Sequence, residues 1–262
     1  AWIYLERAKA DNVLHAEIFF DPQTHTARGV PFATVINGLH RAVQRGREEL
    51  GLSASLILCF LRHLSEADAF ATLEEALPFR DKFIGVGLDS GERGNPPEKF
   101  AAVFGRCREL GLRLVAHAGE EGPASYISDA LDLLGAERID HGVRCLEDPQ
   151  LVARLASERI ALTVCPLSNV KLAVFPELGR HNIGRLLGEG IIATINSDDP
   201  AYFGGYLNEN FTATFAALPE LRAREAYQLA RNSFEASFVA EETRKEWIAE
   251  LDVFFADRCG GR

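Results

Sequence analysis

Five residues in three short stretches have the types and spacing for metal-assisted hydrolysis. His117 closes an apolar run in "VAHAGEEG" (115–122) and Glu120 follows it, His141 lies in "RIDHG" (138–142), and Asp198 and Asp199 lie in "NSDDP" (196–200). His117 offers an imidazole for a metal and Asp198 a hard anionic oxygen. Glu120 stands close enough to act as an acid or base on a substrate held at that metal. His141 can orient or deprotonate a water, and Asp199 can hydrogen-bond a polar heterocycle. Zinc catalysis needs this combination: nitrogen and oxygen donors, an open coordination position and an acid–base group beside it. Singly, each residue has a plainer role. A histidine at a strand end is more often a hydrogen-bonding group than a ligand, carboxylates favour helix N-termini, and "SDDP" reads as a turn before a proline. The case rests on their recurrence at the ends of successive apolar runs.

Those runs are the elements that must position them. Short, β-branched stretches recur at 13–20, 54–60, 83–89, 112–119, 138–142, 160–166 and 191–198, separated by helical patterns. Three of these patterns, 31–50, 96–111 and 123–135, open on proline and end at or beside a glycine, the expected helix punctuation. Strand–helix alternation with nearly continuous apolar strands means parallel strands covered by helices. Reactive side chains follow nearly every strand: Glu17 and Asp21, Arg62 and His63, Asp89, His117, His141, Ser168 and Asn169, then Asp198 and Asp199. Polar ends on many strands converge only in a ring, which favours a (β/α)8 TIM-type barrel over an open doubly wound sheet. About seven strands are visible, and the opening "AWIYLERAKADN" is helical, so the first βα unit is expected to be absent from the front. No linker or composition break appears, and residues 1–262 are read as a single hydrolase domain.

Composition narrows the function. The chain has 262 residues, 47% of them hydrophobic, and a net charge of −10. Such an acidic surface disfavours nucleic acid and anionic lipid as partners and leaves a small neutral substrate open. The five cysteines are scattered, with no Cys-x-x-Cys pair, which fits free thiols in a reducing, cytoplasmic setting. No apolar stretch is long enough for a bilayer and no signal peptide is read. Oligomeric state is not legible. Among the other histidines, His15 is expected to be packed, and His63 either to line a pocket on the catalytic face or to play no part in the site. His25, His40 and His181 show no partner at ligand spacing, and Cys165 is assigned to packing.

"VAHAGEEG", "RIDHGVR", "TVCPLSN" and "NSDDPAYF", in this order, resemble the adenosine/adenine deaminase family of metal-dependent amidohydrolases. The resemblance implies a barrel that hydrolyses a 6-aminopurine to the 6-oxopurine and ammonia with one Zn2+ per site. It implies that His117 and Asp198 are zinc ligands, that Glu120 protonates purine N1, that His141 positions the metal-bound water and takes its proton, and that Asp199 meets purine N7. "DSGE" (89–92) is shorter than the Asp-Leu-Ala-Gly-x-Glu stretch of adenosine deaminases, and with "FFDPQTHTARG" (19–29) it is similar to the adenine branch. Adenine is therefore the expected substrate, in purine salvage, with adenosine or an N6-substituted adenine as the alternative.

The family's first strand bears a His-x-His pair that supplies two further zinc ligands, and this chain has none; "HAE" (15–17) is the nearest spacing. The chain also contains no methionine. A missing N-terminal segment is expected to hold the two histidines. Two readings follow: a zinc adenine deaminase given without that segment, or a non-catalytic relative that binds purines. On either reading the chain by itself is expected to hold zinc poorly and to turn over slowly.

Overall fold

The structure, a computed structural model, describes residues 1–259. They form seven strands: β1 (His15–Phe20), β2 (Ser53–Leu61), β3 (Gly85–Asp89), β4 (Arg113–Ala118), β5 (Arg138–His141), β6 (Ala161–Val164) and β7 (Ile192–Ile195). The chain divides into two compact units, residues 1–140 and 141–262, with the division falling inside β5.

In the first unit, β1 pairs with β2 from His15↔Ser53 to Phe20↔Leu58, and β2 with β3 from Ile57↔Gly85 to Leu61↔Asp89. β3 pairs with β4 through Gly85↔Arg113 and Val86↔Leu114, and every one of these pairings is parallel. Residues 56–60 of β2 and all of β3 are buried without alternation, so both sheet faces are covered, as parallel strands flanked by helices require. Helices Phe32–Arg45, Glu66–Ala76 and Ala101–Glu109 link the strands. Ser65 starts the second of them with a reciprocal capping box to Asp68.

In the second unit, β6 and β7 pair in parallel from Ala161↔Ile192 to Val164↔Ile195. Asp148 caps helix Pro149–Ser157, accepting from the Gln150 and Leu151 N–H groups. Helix Ala223–Ala236 lies against β7, and Asn232 Nδ2 donates to the Ala193 carbonyl at 2.7 Å.

Apart from β2, which extends one residue beyond each end of its run, the strands are shorter than the apolar runs. The run 191–198 yields only Ile192–Ile195; the Asn196 N–H still donates to the Val164 carbonyl at 2.9 Å, and the chain leaves the strand at Ser197 and Asp198. Three strand-end residues, Ser90, His141 and Asp198, hold φ of +73°, +66° and +55°. Left-handed backbone costs a non-glycine residue about 1 kcal/mol, and such positions concentrate at functional sites. The opening helix forms as expected, over Trp2–Ala10.

Candidate active site

β4 delivers His117. Its Nδ1 lies 3.6 Å from Asp140 Oδ2, and the Phe19 ring meets it edge-on at a centroid distance of 5.6 Å. A carboxylate at Nδ1 favours the Nδ1–H tautomer and leaves the Nε2 lone pair as the metal donor. Asp140 is an orienting residue that the strand-end pattern does not single out, although it immediately precedes His141.

The loop after β4 is organised around an anion. The Glu92 carboxylate accepts four successive backbone N–H bonds, from Gly119 at 2.7 Å, Glu120 at 2.9 Å, Glu121 at 2.7 Å and Gly122 at 2.7 Å. Behind it, Arg62 Nη1 stands 3.9 Å from Glu92 Oε1 and donates to the His117 carbonyl at 2.6 Å, while Arg62 Nε donates to the Asn95 carbonyl at 2.8 Å. Arg62 is 0% exposed and Glu92 is 2% exposed. Burial pulls the Arg62 pKa down and the Glu92 charge pushes it back up. A Cβ on Gly122 would stand 2.6 Å from the Tyr126 ring and 3.1 Å from the Glu92 carboxyl carbon, so only glycine lets the loop close on the anion. Glu120 is thereby held buried, three residues beyond His117.

Nearby in the same unit, donor atoms of Asp21, Cys59 and Asp89 lie within 4.8 Å of one another. Burial first, and the Asp21 carboxylate second, push Asp89 well above the ordinary carboxylate range, so it favours the neutral acid. Glu17 pairs with Arg138 out of solvent. His15 is bonded to the Ser53 hydroxyl at 2.7 Å, in keeping with its packed assignment, while His63 is exposed and bonded to Ser90 Oγ at 2.8 Å.

In the second unit, His141 and Asp198 come together, with Nε2 3.9 Å from Oδ2. Donor atoms of His141, Cys165 and Asp198 all lie within 4.8 Å of one another. Asp198 Oδ1 accepts the Asp199 N–H at 2.8 Å, and Asp199 is exposed at the start of helix Pro200–Phe203. His141 Nδ1 lies 3.2 Å from Asn169 Nδ2, and Asn169 Oδ1 lies 3.2 Å from His181 Nε2. His181, which shows no partner at ligand spacing in the sequence, is buried, bonded to Asn169 and packed on the Phe175 ring at 4.4 Å. Its partner is 12 residues away, a separation that no local spacing rule detects.

Burial lowers the His181 pKa from 6.5 to about 4. The unfolded chain therefore binds a proton between those values that the folded chain refuses, and stability present above pH 6.5 is lost as pH falls toward 4. The full window is worth about 3 kcal/mol. Urea unfolding at pH 7 and pH 5 should show this loss in the parent chain and less of it in His181→Gln. Equal pH slopes in the two proteins would remove His181 as the source.

The donor types fit zinc: the His117 imidazole, backed by Asp140, in the first unit, and the Asp198 carboxylate in the second. The family model described as adenosine deaminase matches residues 1–254. The chain belongs to the adenosine deaminase family. It is 81% identical to an adenine deaminase of Geotalea uraniireducens, an alignment covering 97% of this chain and 72% of that protein. It is 78% identical to an adenine deaminase of Trichlorobacter lovleyi, covering 99% and 74%. Among solved structures, an adenine deaminase from Arthrobacter aurescens superposes with a TM-score of 0.94 at 47% identity, over 97% of this chain and 77% of that one. A zinc-bound amidohydrolase from Burkholderia ambifaria superposes with a TM-score of 0.91 at 29% identity, over 98% and 72%.

The fold class is accordingly the α/β, (β/α)8 TIM-type barrel, with seven strands among the described residues. A divalent metal belongs to the family's chemistry. No helix among the described residues is long and apolar enough to cross a membrane.

Proposed function

We propose that this deaminase-family chain carries the machinery for zinc-dependent hydrolysis of adenine to hypoxanthine and ammonia, acting as one catalytic domain on a free base in cytoplasmic purine salvage. The observation that carries the reading is the acid loop: Glu120, buried after β4 and anchored through Glu92 of "DSGE", in a chain 81% identical to an adenine deaminase. His117 and Asp198 are the metal ligands that this chain contributes, and two further histidines are expected from a segment outside it. Bound zinc supplies a hydroxide-like oxygen near neutral pH.

The chain's own groups do the rest. Glu120 gives a proton to purine N1, which makes C6 electrophilic. His141 orients the attacking oxygen. Asp199 hydrogen-bonds N7 and fixes the base in its plane. Each transfer is to or from a heteroatom, where a positioned acid or base is effective.

Two results are expected. In a version that includes the segment expected to carry the two further histidines, ammonia release should be faster, as kcat/KM, with adenine than with adenosine, because "DSGE" shortens the loop after β3 by comparison with adenosine-type loops and favours a bare base. A higher kcat/KM for adenosine would reverse the substrate assignment. Chelation of the active protein should abolish turnover and added Zn2+ should restore it; activity that survives in metal-free protein would rule out the zinc reading.

A further inference from the structure

The hydrogen bonds behind His141 have a direction, and it starts from a group that cannot be turned round. The backbone N–H of Ile183 donates to His181 Nδ1 at 3.2 Å. A peptide N–H is only a donor, so Nδ1 must be the acceptor, and neutral His181 carries its proton on Nε2. That Nε2–H faces Asn169 Oδ1 at 3.2 Å, which leaves the Asn169 amide nitrogen facing His141 Nδ1 at 3.2 Å. Turning the amide over would set two donors against each other at His181. The amide therefore donates to His141, and His141 Nδ1 accepts.

We propose that Asn169 and His181 are positioning residues that fix neutral His141 as its Nε2–H tautomer, aiming an N–H donor toward the Asp198 side of the site. This rests on the proposed role of His141 in orienting the attacking oxygen, and it replaces the proton-accepting role that the family resemblance implies for that residue. With Nε2 protonated, neutral His141 is neither a metal ligand nor a proton acceptor at that nitrogen; it orients oxygen by donating to it. Burial strengthens the arrangement, since His181, at 5% exposure and with its pKa lowered to about 4, stays neutral and keeps a single tautomer. The ring of Phe175 at 4.4 Å from His181 restricts its rotation.

Long-range 1H–15N correlation on the uniformly 15N-labelled full chain at neutral pH reads the tautomer of each histidine directly, with His141 assigned by the signals lost in His141→Gln. The expected spectrum has a pyrrole-like Nε2 and a pyridine-like Nδ1 for both His141 and His181. Asn169→Asp replaces the donor with an acceptor and should move the His141 proton to Nδ1. His181→Gln retains an N–H that can reach Asn169 Oδ1 and should leave His141 as it is, whereas His181→Leu should give a mixture. A pyridine-like Nε2 in the parent chain overturns the assignment, and an unmoved His141 in Asn169→Asp overturns the relay. These readouts need no turnover. If His141→Gln retains full deaminase activity while the spectra match, the proposed role of His141 fails and the tautomer assignment stands.

Discussion

Glu120→Gln, made in a version of the protein that includes the segment expected to carry the two further histidines, should retain the metal and the fold and lose a factor of roughly 10² or more in kcat, the usual scale for a general acid–base group. Glutamine keeps the volume and the hydrogen-bonding shape of the side chain but cannot deliver a proton to purine N1 under turnover conditions. The backbone of residue 120 is held by Glu92 through its N–H, not through its side chain, so the loop should stay closed in the variant. The loss should therefore fall on kcat, with zinc content and thermal unfolding unchanged. Near-normal turnover with a full complement of zinc would remove Glu120 from the chemistry; a loss of zinc alongside activity would make it a ligand instead.

Glu92→Leu should cost about 3–5 kcal/mol of stability, the range observed when one partner of a buried ion pair is deleted. Arg62, fully buried, would keep its charge with no carboxylate beside it. The four N–H groups at 119–122 would lose their common acceptor together. An unsatisfied buried donor costs roughly 1–3 kcal/mol, offset wherever water reaches the loop. Urea unfolding measures the total, and amide hydrogen exchange measures the local part: protection should fall at 119–122 and persist along β4. Glu92→Gln tests the charge, because its amide oxygen can still accept while its NH2 group opposes the remaining donors. A loss below about 1 kcal/mol in both variants would mean that Glu92 does not organise the loop. The expected cost is a sizeable part of the roughly 5–15 kcal/mol that keeps a typical domain folded.

Part of the candidate site is legible in the order of residues along the chain. His117, Glu120, His141, Asp198 and Asp199 follow short apolar runs, and the fold puts them at or just beyond β4, β5 and β7. The residues that support them are not legible as supports. Glu92 stands in a motif that speaks to substrate choice, yet its carboxylate anchors a loop 27 residues away. Arg62 reads only as a polar strand end, and it is the most completely buried cation in the first unit. Asp140, Asn169 and His181 act through contacts that do not follow from local spacing.

By itself the sequence determined the parallel α/β character, the helix limits marked by Pro and Gly, and the types and chain order of the chemical groups. These follow from local rules: a strand buried on both faces needs an unbroken apolar run, and a helix needs defined ends. Tertiary structure decided everything that depends on separation in space. It determined which carboxylate backs His117, which anion closes the 119–122 loop, and in which direction the hydrogen bonds run from Ile183 to His141. The physical reason is that hydrogen bonding and Coulomb interaction act over a few ångströms, and folding brings within that range residues whose distance along the chain carries no record of it.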